Sequence, residues 1–291
     1  MTMQQLLNRL MSALVVLSLS IPTAAGSSPY SWATYYASKR RQPIMIDGDL
    51  SDWKDVKGFT MAQEKFFFVG QGMSSAKWKG PQDLSTTFKV QWDERFLYVA
   101  VEVIDDNVVE PRGSLAKGNE TGSWDDDSVE IMLDNDGCGM SRYYIGDPMH
   151  HEFHFVYSHD RPLVFDNFWK PQPGAPQPMF RLPDGSEEPL AYPGEVMEKH
   201  EVTSVFSKPP YEGDFAFKRT EKGYNLELRM ALPGAKMKAI NDGGHVIGFD
   251  LAVNDNDLGY GPSKQQLHWS GMNDMFWRDT KFFGQLILLE E

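Results

Sequence analysis

An antiparallel, two-sheet, jelly-roll-like β-sandwich is the fold this sequence predicts, and three observations predict it. Short segments alternate apolar and polar residues with a period of two and are rich in β-branched and aromatic side chains. Clusters of Gly, Pro, Asn and Asp punctuate them. Almost nothing carries a helical period; a turn or two of helix is expected near Ile44 to Val56 and over 232–240, and no more. Many short strands with such punctuation favour a sandwich over a parallel α/β sheet.

Residues 1–25 contain one arginine, an apolar run from Leu10 to Ile21 and small residues at Thr23, Ala24 and Ala25. That is the layout of a secretory signal peptide cleaved after Ala25. The run is too short to span a bilayer and no later segment is long and apolar enough, so no membrane insertion is expected. The expected location is secreted or periplasmic. The chain carries 28 basic and 41 acidic side chains, a formal net charge of −13. Such an excess argues against a nucleic-acid partner gripped through its phosphates and suits divalent cations or neutral ligands. Cys138 is the one cysteine, so the exported chain must stand on its core rather than on disulfides.

Residues 26–291 read as one sandwich domain. In 88–103, the turn Asp93-Glu94-Arg95 separates Phe88, Val90 and Trp92 from Leu97, Val99, Val101 and Val103, which predicts a hairpin. The next strand, 128–134, places Val129, Ile131 and Leu133 on one face and Ser128, Glu130 and Met132 on the other. Further strands are expected at 151–157, 224–232, 245–253, 267–270 and 283–289. A loop-rich insert of about 158–215, with a proline-rich run over 161–210, interrupts the rhythm. Long excursions of this kind are usually functional or mobile.

Six stretches carry a resemblance. "IDGDLSDW" (46–53), "VQWDERFLYVAVEVIDDN" (90–107), "WDDDSVEIMLD" (124–134), "GYNLELRMAL" (223–232), "IGFDLAVNDND" (247–257) and "HWSG…FWRDTKFFGQLIL" (268–288) resemble, in order and nature, the family 9 carbohydrate-binding module. The resemblance implies a two-sheet β-sandwich, bound calcium, and a sugar held between two tryptophans, often the reducing end of a glycan. Matched onto this sequence, it puts Trp124 and Trp277 at the two sandwiching rings and Glu130 at a sugar-contacting carboxylate. On "HEFHFVY" (151–157) the chain departs from the pattern: the usual basic residue is His154, an expected amide is Val156, and Glu152 takes an amide-like position. A site that pairs hydroxyls loses affinity when a partner is missing, so the usual sugar in the usual pose does not follow.

The residues themselves point the same way. Glu130 lies on the face opposite the core stripe, expected to be open, and Trp124 precedes its strand. An aromatic ring offers a platform for the CH face of a pyranose, and a carboxylate accepts hydrogen bonds from its hydroxyls. The expected ligand is a mono- or oligosaccharide contacted by Trp124, Glu130, Glu152, His154 and Trp277. The bland alternative makes both rings packing and the proline-rich insert a partner interface.

Asp and Asn recur at strand ends, in 105–107, 125–127, 134–136 and 254–257. Calcium takes six to eight hard oxygens without rigid spacing, and the same residues also make ordinary turns. The resemblance, more than the spacing, favours a structural calcium, with Asp105, Asp106, Asp125, Asp126, Asp134, Asp136 and Asp255 as candidate ligands. On a strand, His150, Glu152 and His154 project to one side and would suit zinc or another transition metal; Met132 and His154 would be the pair for haem. There is no GxSxG elbow and no phosphate-cradling glycine loop. Asp126 and Glu130 resemble a glycosidase pair only in type, their separation being unreadable from sequence. The expected protein is a non-catalytic binder, with an exported hydrolase or a metal or haem protein on the same fold as the alternative.

Overall fold

A computed structural model describes residues 33–68, 77–109, 126–134, 150–157, 163–166, 179–181, 187–189, 203–206, 212–231, 245–257, 265–270 and 280–290. The expected signal peptide, Trp124, Trp277, Asp125, Asp136, Cys138 and the 232–240 turn lie outside these residues. The described chain is all-β. In order, its strands are β1 (Thr34–Lys39), β2 (Phe59–Met61), β3 (Phe67–Phe68), β4 (Leu84–Trp92), β5 (Leu97–Asp105), β6 (Ser128–Asp134), β7 (His150–Val156) and β8 (Leu163–Asp166). Then follow β9 (Met179–Arg181), β10 (Glu187–Pro189), β11 (Thr203–Phe206), β12 (Glu212–Thr220), β13 (Gly223–Ala231), β14 (His245–Asp255), β15 (Gln265–His268) and β16 (Gly284–Leu289).

The expected hairpin is β4–β5, with Phe88 opposite Val101, Val90 opposite Val99 and Trp92 opposite Leu97. Asp93 makes its turn: Oδ1 accepts from the backbone N–H of Arg95 and Phe96, each at 2.8 Å, and Oδ2 accepts from Arg40 and Tyr98. A short 3-10 turn at Leu50–Trp53, capped by Asp49, is the helical turn expected in that region.

Hydrogen bonding runs in the order β11-β12-β13-β5-β4-β1-β16-β14-β6-β7-β8. The sheet curls on itself, so that β4 and β12 face β14 and β7: Phe88 lies 5.9 Å from Phe249, and Phe155 lies 5.2 Å from Phe215, centroid to centroid. One apolar cluster fills the space between, with Val129, Ile131 and Leu133 in it as the alternation predicts. The sheet is mixed rather than purely antiparallel, because β1 pairs in parallel with both β16 and β4. No tight turn joins β1 to either neighbour, so nothing in the connection dictates its direction.

Strands also occur within the insert. β8 closes one end of the strand order and β11 the other, and β9 pairs with β10 apart from the main sheet. The stretch that reads as loop thus links the two sheet edges, where short strands need little alternation of their own.

Candidate functional site

Two polar clusters lie back to back where β6, β14 and β15 come together. Alternation builds both. Three adjacent pairs, Asp127–Ser128, Asn254–Asp255 and Gln265–Gln266, each send one side chain to a carboxylate cluster and the next to a polar network around Glu130.

In that network Glu130 on β6 sits opposite His154 on β7, with Glu152 two register positions along, opposite Met132. His154 Nε2 is 3.3 Å from Glu152 Oε1, and its Nδ1 is 3.9 Å from Glu130 Oε1, so one imidazole stands between two carboxylates. Asn254 Nδ2 donates to Glu130 Oε1 at 2.6 Å and to Ser128 Oγ at 3.0 Å, and Gln266 Nε2 donates to Asn254 Oδ1 at 2.8 Å. The face was expected to be open and is not: Glu130 is 2% exposed, Glu152 7% and His154 1%. A buried carboxylate needs hydrogen-bond partners, and the cross-strand amides supply them. Oxygen and nitrogen atoms of Glu130, Glu152 and His154 approach within 4.8 Å of one another, close enough for one metal ion. The metal trio expected from the strand was His150, Glu152 and His154; the structure brings Glu130 to Glu152 and His154, while the side chain of His150, whose backbone pairs with Asp134, lies outside the described residues. Met132, the residue paired with His154 in the haem alternative, packs with Ala252, Phe282 and Phe283 in an apolar cluster.

The second cluster is acidic. Asp105 at the end of β5, Asp127 just before β6 and Asp255 at the end of β14 bring carboxylate oxygens within 4.8 Å of one another, all three buried. Among the described residues, Asp105 Oδ2 and Asp255 Oδ1 have no hydrogen-bond partner, nor has the hydroxyl of fully buried Tyr224 behind them. Asp127 also ties the loops together, accepting from Val109 N at 2.6 Å and Asn256 N at 2.8 Å. Gly223 permits the approach of the β12–β13 turn: at φ 145° its backbone lies so close to β5 that a Cβ would meet Val103 O at 2.0 Å. Burial, reinforced by mutual repulsion, pushes Asp105 up to about 6, Asp127 up to about 8 and Asp255 up to about 9. Three hard carboxylates in one buried place fit a cation such as calcium, whose ligand oxygens at about 2.4 Å stand at most about 4.8 Å apart.

Of the acidic candidates, Asp105 and Asp255 meet here, and Asp106 joins a neighbouring group with Asp83 and Asp257. Asp134 sits at the far end of β6 against Gly248, and Asp126, though buried, is in neither group. Asp127 and Asp257 lie in the acidic stretches 125–127 and 254–257 but were not named as ligands, and Asp83 lies outside every such stretch; all three are at strand ends, the one local signal available.

Asp250, His268 and Ser270 form a third buried polar group. His268 Nε2 is 3.1 Å from Asp250 Oδ2, and Ser270 donates to the same carboxylate through its backbone N–H and its hydroxyl. The carboxylate, not the imidazole, is at the centre, and all three residues are essentially without exposure. That arrangement braces β14 against the following segment; it is not a nucleophile with its base.

The profile described as "Carbohydrate family 9 binding domain-like" matches residues 62–166 and 198–291. The chain belongs to this family. Among relatives of the family 9 chain is "Exoglucanase XynX" of Acetivibrio thermocellus, 25% identical over 209 residues, covering 72% of this chain and 14% of that protein. Another is "Endo-1,4-beta-xylanase C" of Paenibacillus barcinonensis, 23% identical over 250 residues, covering 80% of this chain and 18% of that protein. The chain thus spans only a small part of the length of these relatives. Among solved structures, a family 9 carbohydrate-binding module from Caldicellulosiruptor kristjanssonii in complex with cellotriose superposes with TM-score 0.54 at 20% identity, covering 89% of this chain and 94% of that one. The same module in complex with glucose gives TM-score 0.53, covering 89% and 96%. These likenesses establish the β-sandwich fold.

Proposed function

We propose that this family 9 chain is an exported, non-catalytic carbohydrate-binding protein. It holds one sugar unit between Trp124 and Trp277, with Glu130 as the principal hydroxyl acceptor and Glu152 and His154 as helpers. The observation that carries the reading is the Glu130–Glu152–His154 cluster, held by Asn254 and Gln266 on the face opposite the core. Two acceptor carboxylates and an imidazole match a vicinal diol, and the network that buries them must open toward the ligand for them to meet it. The solved relatives in complex with cellotriose and glucose support a sugar as the ligand class. The composition of residues 1–25 supports a secreted or periplasmic location, beside enzymes of carbohydrate breakdown.

In the same reading a structural calcium is held by Asp105, Asp127 and Asp255. It supplies the positive charge that three buried carboxylates lack, and so ties the ends of β5, β6 and β14 together.

Glycan-array screening of the chain with calcium present identifies the sugar. Titration with that sugar should then shift tryptophan fluorescence, and Trp124→Ala or Trp277→Ala should abolish the shift with thermal stability nearly intact. Either variant unfolding would make that ring part of the core and defeat the two-ring site. Elemental analysis separates a second reading, in which Glu130, Glu152 and His154 hold zinc: one equivalent of zinc lost in His154→Ala would replace the sugar at that cluster.

A further inference from the structure

Glu130, Glu152 and His154 form a ring of acceptors more demanding than neutral hydroxyls can satisfy. An ionised carboxylate only accepts hydrogen bonds, and an imidazole nitrogen without a proton accepts as well. One atom from each of the three lies within 4.8 Å of the other two. Three atoms no farther apart than this can all stand about 2.8 Å from a single nitrogen, the length of an N–H···O bond from an ammonium to a carboxylate. A sugar hydroxyl brings one proton to such a place; an ammonium brings three.

Charge points the same way at Glu130. This buried carboxylate has both of its contacts among the described residues through one oxygen: Oε1 accepts from Asn254 Nδ2 at 2.6 Å and stands 3.9 Å from His154 Nδ1, beyond hydrogen-bond length. Oε2 is left to accept from a ligand. The imidazole is nearer to Glu152, at 3.3 Å. Asn254, Gln266 and Ser128 are neutral dipoles, so their network orients the Glu130 carboxylate without neutralising it. With both carboxylates ionised, the trio sums to a negative charge whether or not the imidazole carries a second proton. A buried charge met by dipoles favours a ligand of opposite charge, and surroundings of low dielectric strengthen that preference. The formal net charge of −13 adds a long-range field of the same sense.

We infer that the sugar selected here is a hexosamine with a free amine, its ammonium seated among Glu130, Glu152 and His154. The inference rests on the sugar-binding reading above and adds the substrate class to it: an unacetylated amino sugar, free or at the end of a deacetylated amino-sugar polymer. Acetylation of the amine removes the charge and two of its three protons, so the acetylated sugar loses the advantage.

Calorimetric titration of the full chain with calcium present, at a pH low enough to keep the amine charged, tests this with four probes: glucose, glucosamine, N-acetylglucosamine and ethanolamine. Glucosamine should bind about tenfold more tightly than glucose, N-acetylglucosamine no more tightly than glucose, and ethanolamine not measurably. In Glu130→Gln, shown to be folded by circular dichroism, glucosamine and glucose should bind alike. The comparison of sugars on the native chain needs no variant. Glucose that shifts tryptophan fluorescence while glucosamine binds no more tightly overturns the inference and leaves the sugar-binding reading standing; failure of both sugars to bind removes the two together. Ethanolamine that displaces glucosamine at equal concentration overturns it too, since any small amine would then suffice, as does a preference for glucosamine that folded Glu130→Gln keeps in full.

Discussion

Trp53 donates its indole N–H to Glu227 Oε1 at 2.7 Å, joining a 3-10 turn near one end of the chain to the middle of β13. The other oxygen of the same carboxylate accepts from the backbone N–H of Asp47 and Gly48 at 3.1 and 3.0 Å. Gly48 adopts φ 77°, and a Cβ there would meet Lys218 Cβ at 2.7 Å, so the loop closes over β12 only with glycine. Glu227 is fully buried, and Ile44, Trp53, Phe96 and Tyr98 pack nearby as a satellite core. Glu227→Ala leaves three donors without an acceptor and should lower stability by about 2–4 kcal/mol in chemical denaturation. Glu227→Gln, keeping one acceptor oxygen, should cost less. Equal stability of native and alanine forms would mean that the clamp is idle.

Stability without metal should fall as pH rises. Burial raises Asp105, Asp127 and Asp255 above the ordinary carboxylate value, to about 6, 8 and 9. A raised acid binds its proton more tightly folded than unfolded, so its contribution is complete below about pH 4 and is lost as pH climbs through the folded values. Calcium favours the ionised carboxylates and reverses the sign. Thermal melts with chelator and with calcium, taken from about pH 5 to about pH 9, should diverge progressively toward high pH. Parallel curves would show that the triad binds no cation.

Sugar affinity should depend on the hydrogen bond between Asn254 Nδ2 and Glu130 Oε1, 2.6 Å long. Glu130→Gln removes the charge that Asn254 and, in the proposed site, the sugar hydroxyls share, and should weaken binding by about tenfold in calorimetry. Asn254→Ala should weaken it by a similar factor at unchanged fold, because Glu130 then loses its orienting donor. Full affinity in both variants would move the ligand away from this face.

Calcium and sugar should bind with positive coupling. Asp127–Ser128, Asn254–Asp255 and Gln265–Gln266 are neighbours along single strands, so ordering one cluster orders the other. Coupling in binding is reciprocal: the factor by which calcium tightens the sugar must equal the factor by which the sugar tightens calcium. Gln266→Ala should shrink that factor. Independent binding, with both factors equal to one, would separate the two sites.

Local pattern carried much of the fold. The Phe88, Val90 and Trp92 stripe, its hairpin and the Val129, Ile131 and Leu133 face were legible because alternation is a property of neighbouring residues. The parallel strand β1 was not, since its partners are set by chain segments far away and no turn records them. Short edge strands in the insert, such as β8, lack the length that makes alternation visible.

The sequence by itself determined the long alternating strands β4 to β7, β13, β14 and β16, their core faces, the glutamates and histidine on the opposite face, and an acidity suited to cations. Only the tertiary structure decided that Asp127 rather than Asp126 meets Asp105 and Asp255, that Glu130 is buried with Asn254 and Gln266, and that Lys79 enters among Asp83 and Asp257. The reason is physical: alternation assigns a side chain to a face of its own strand, whereas cross-strand register and the curl of the sheet assign its partners, and those depend on every strand at once.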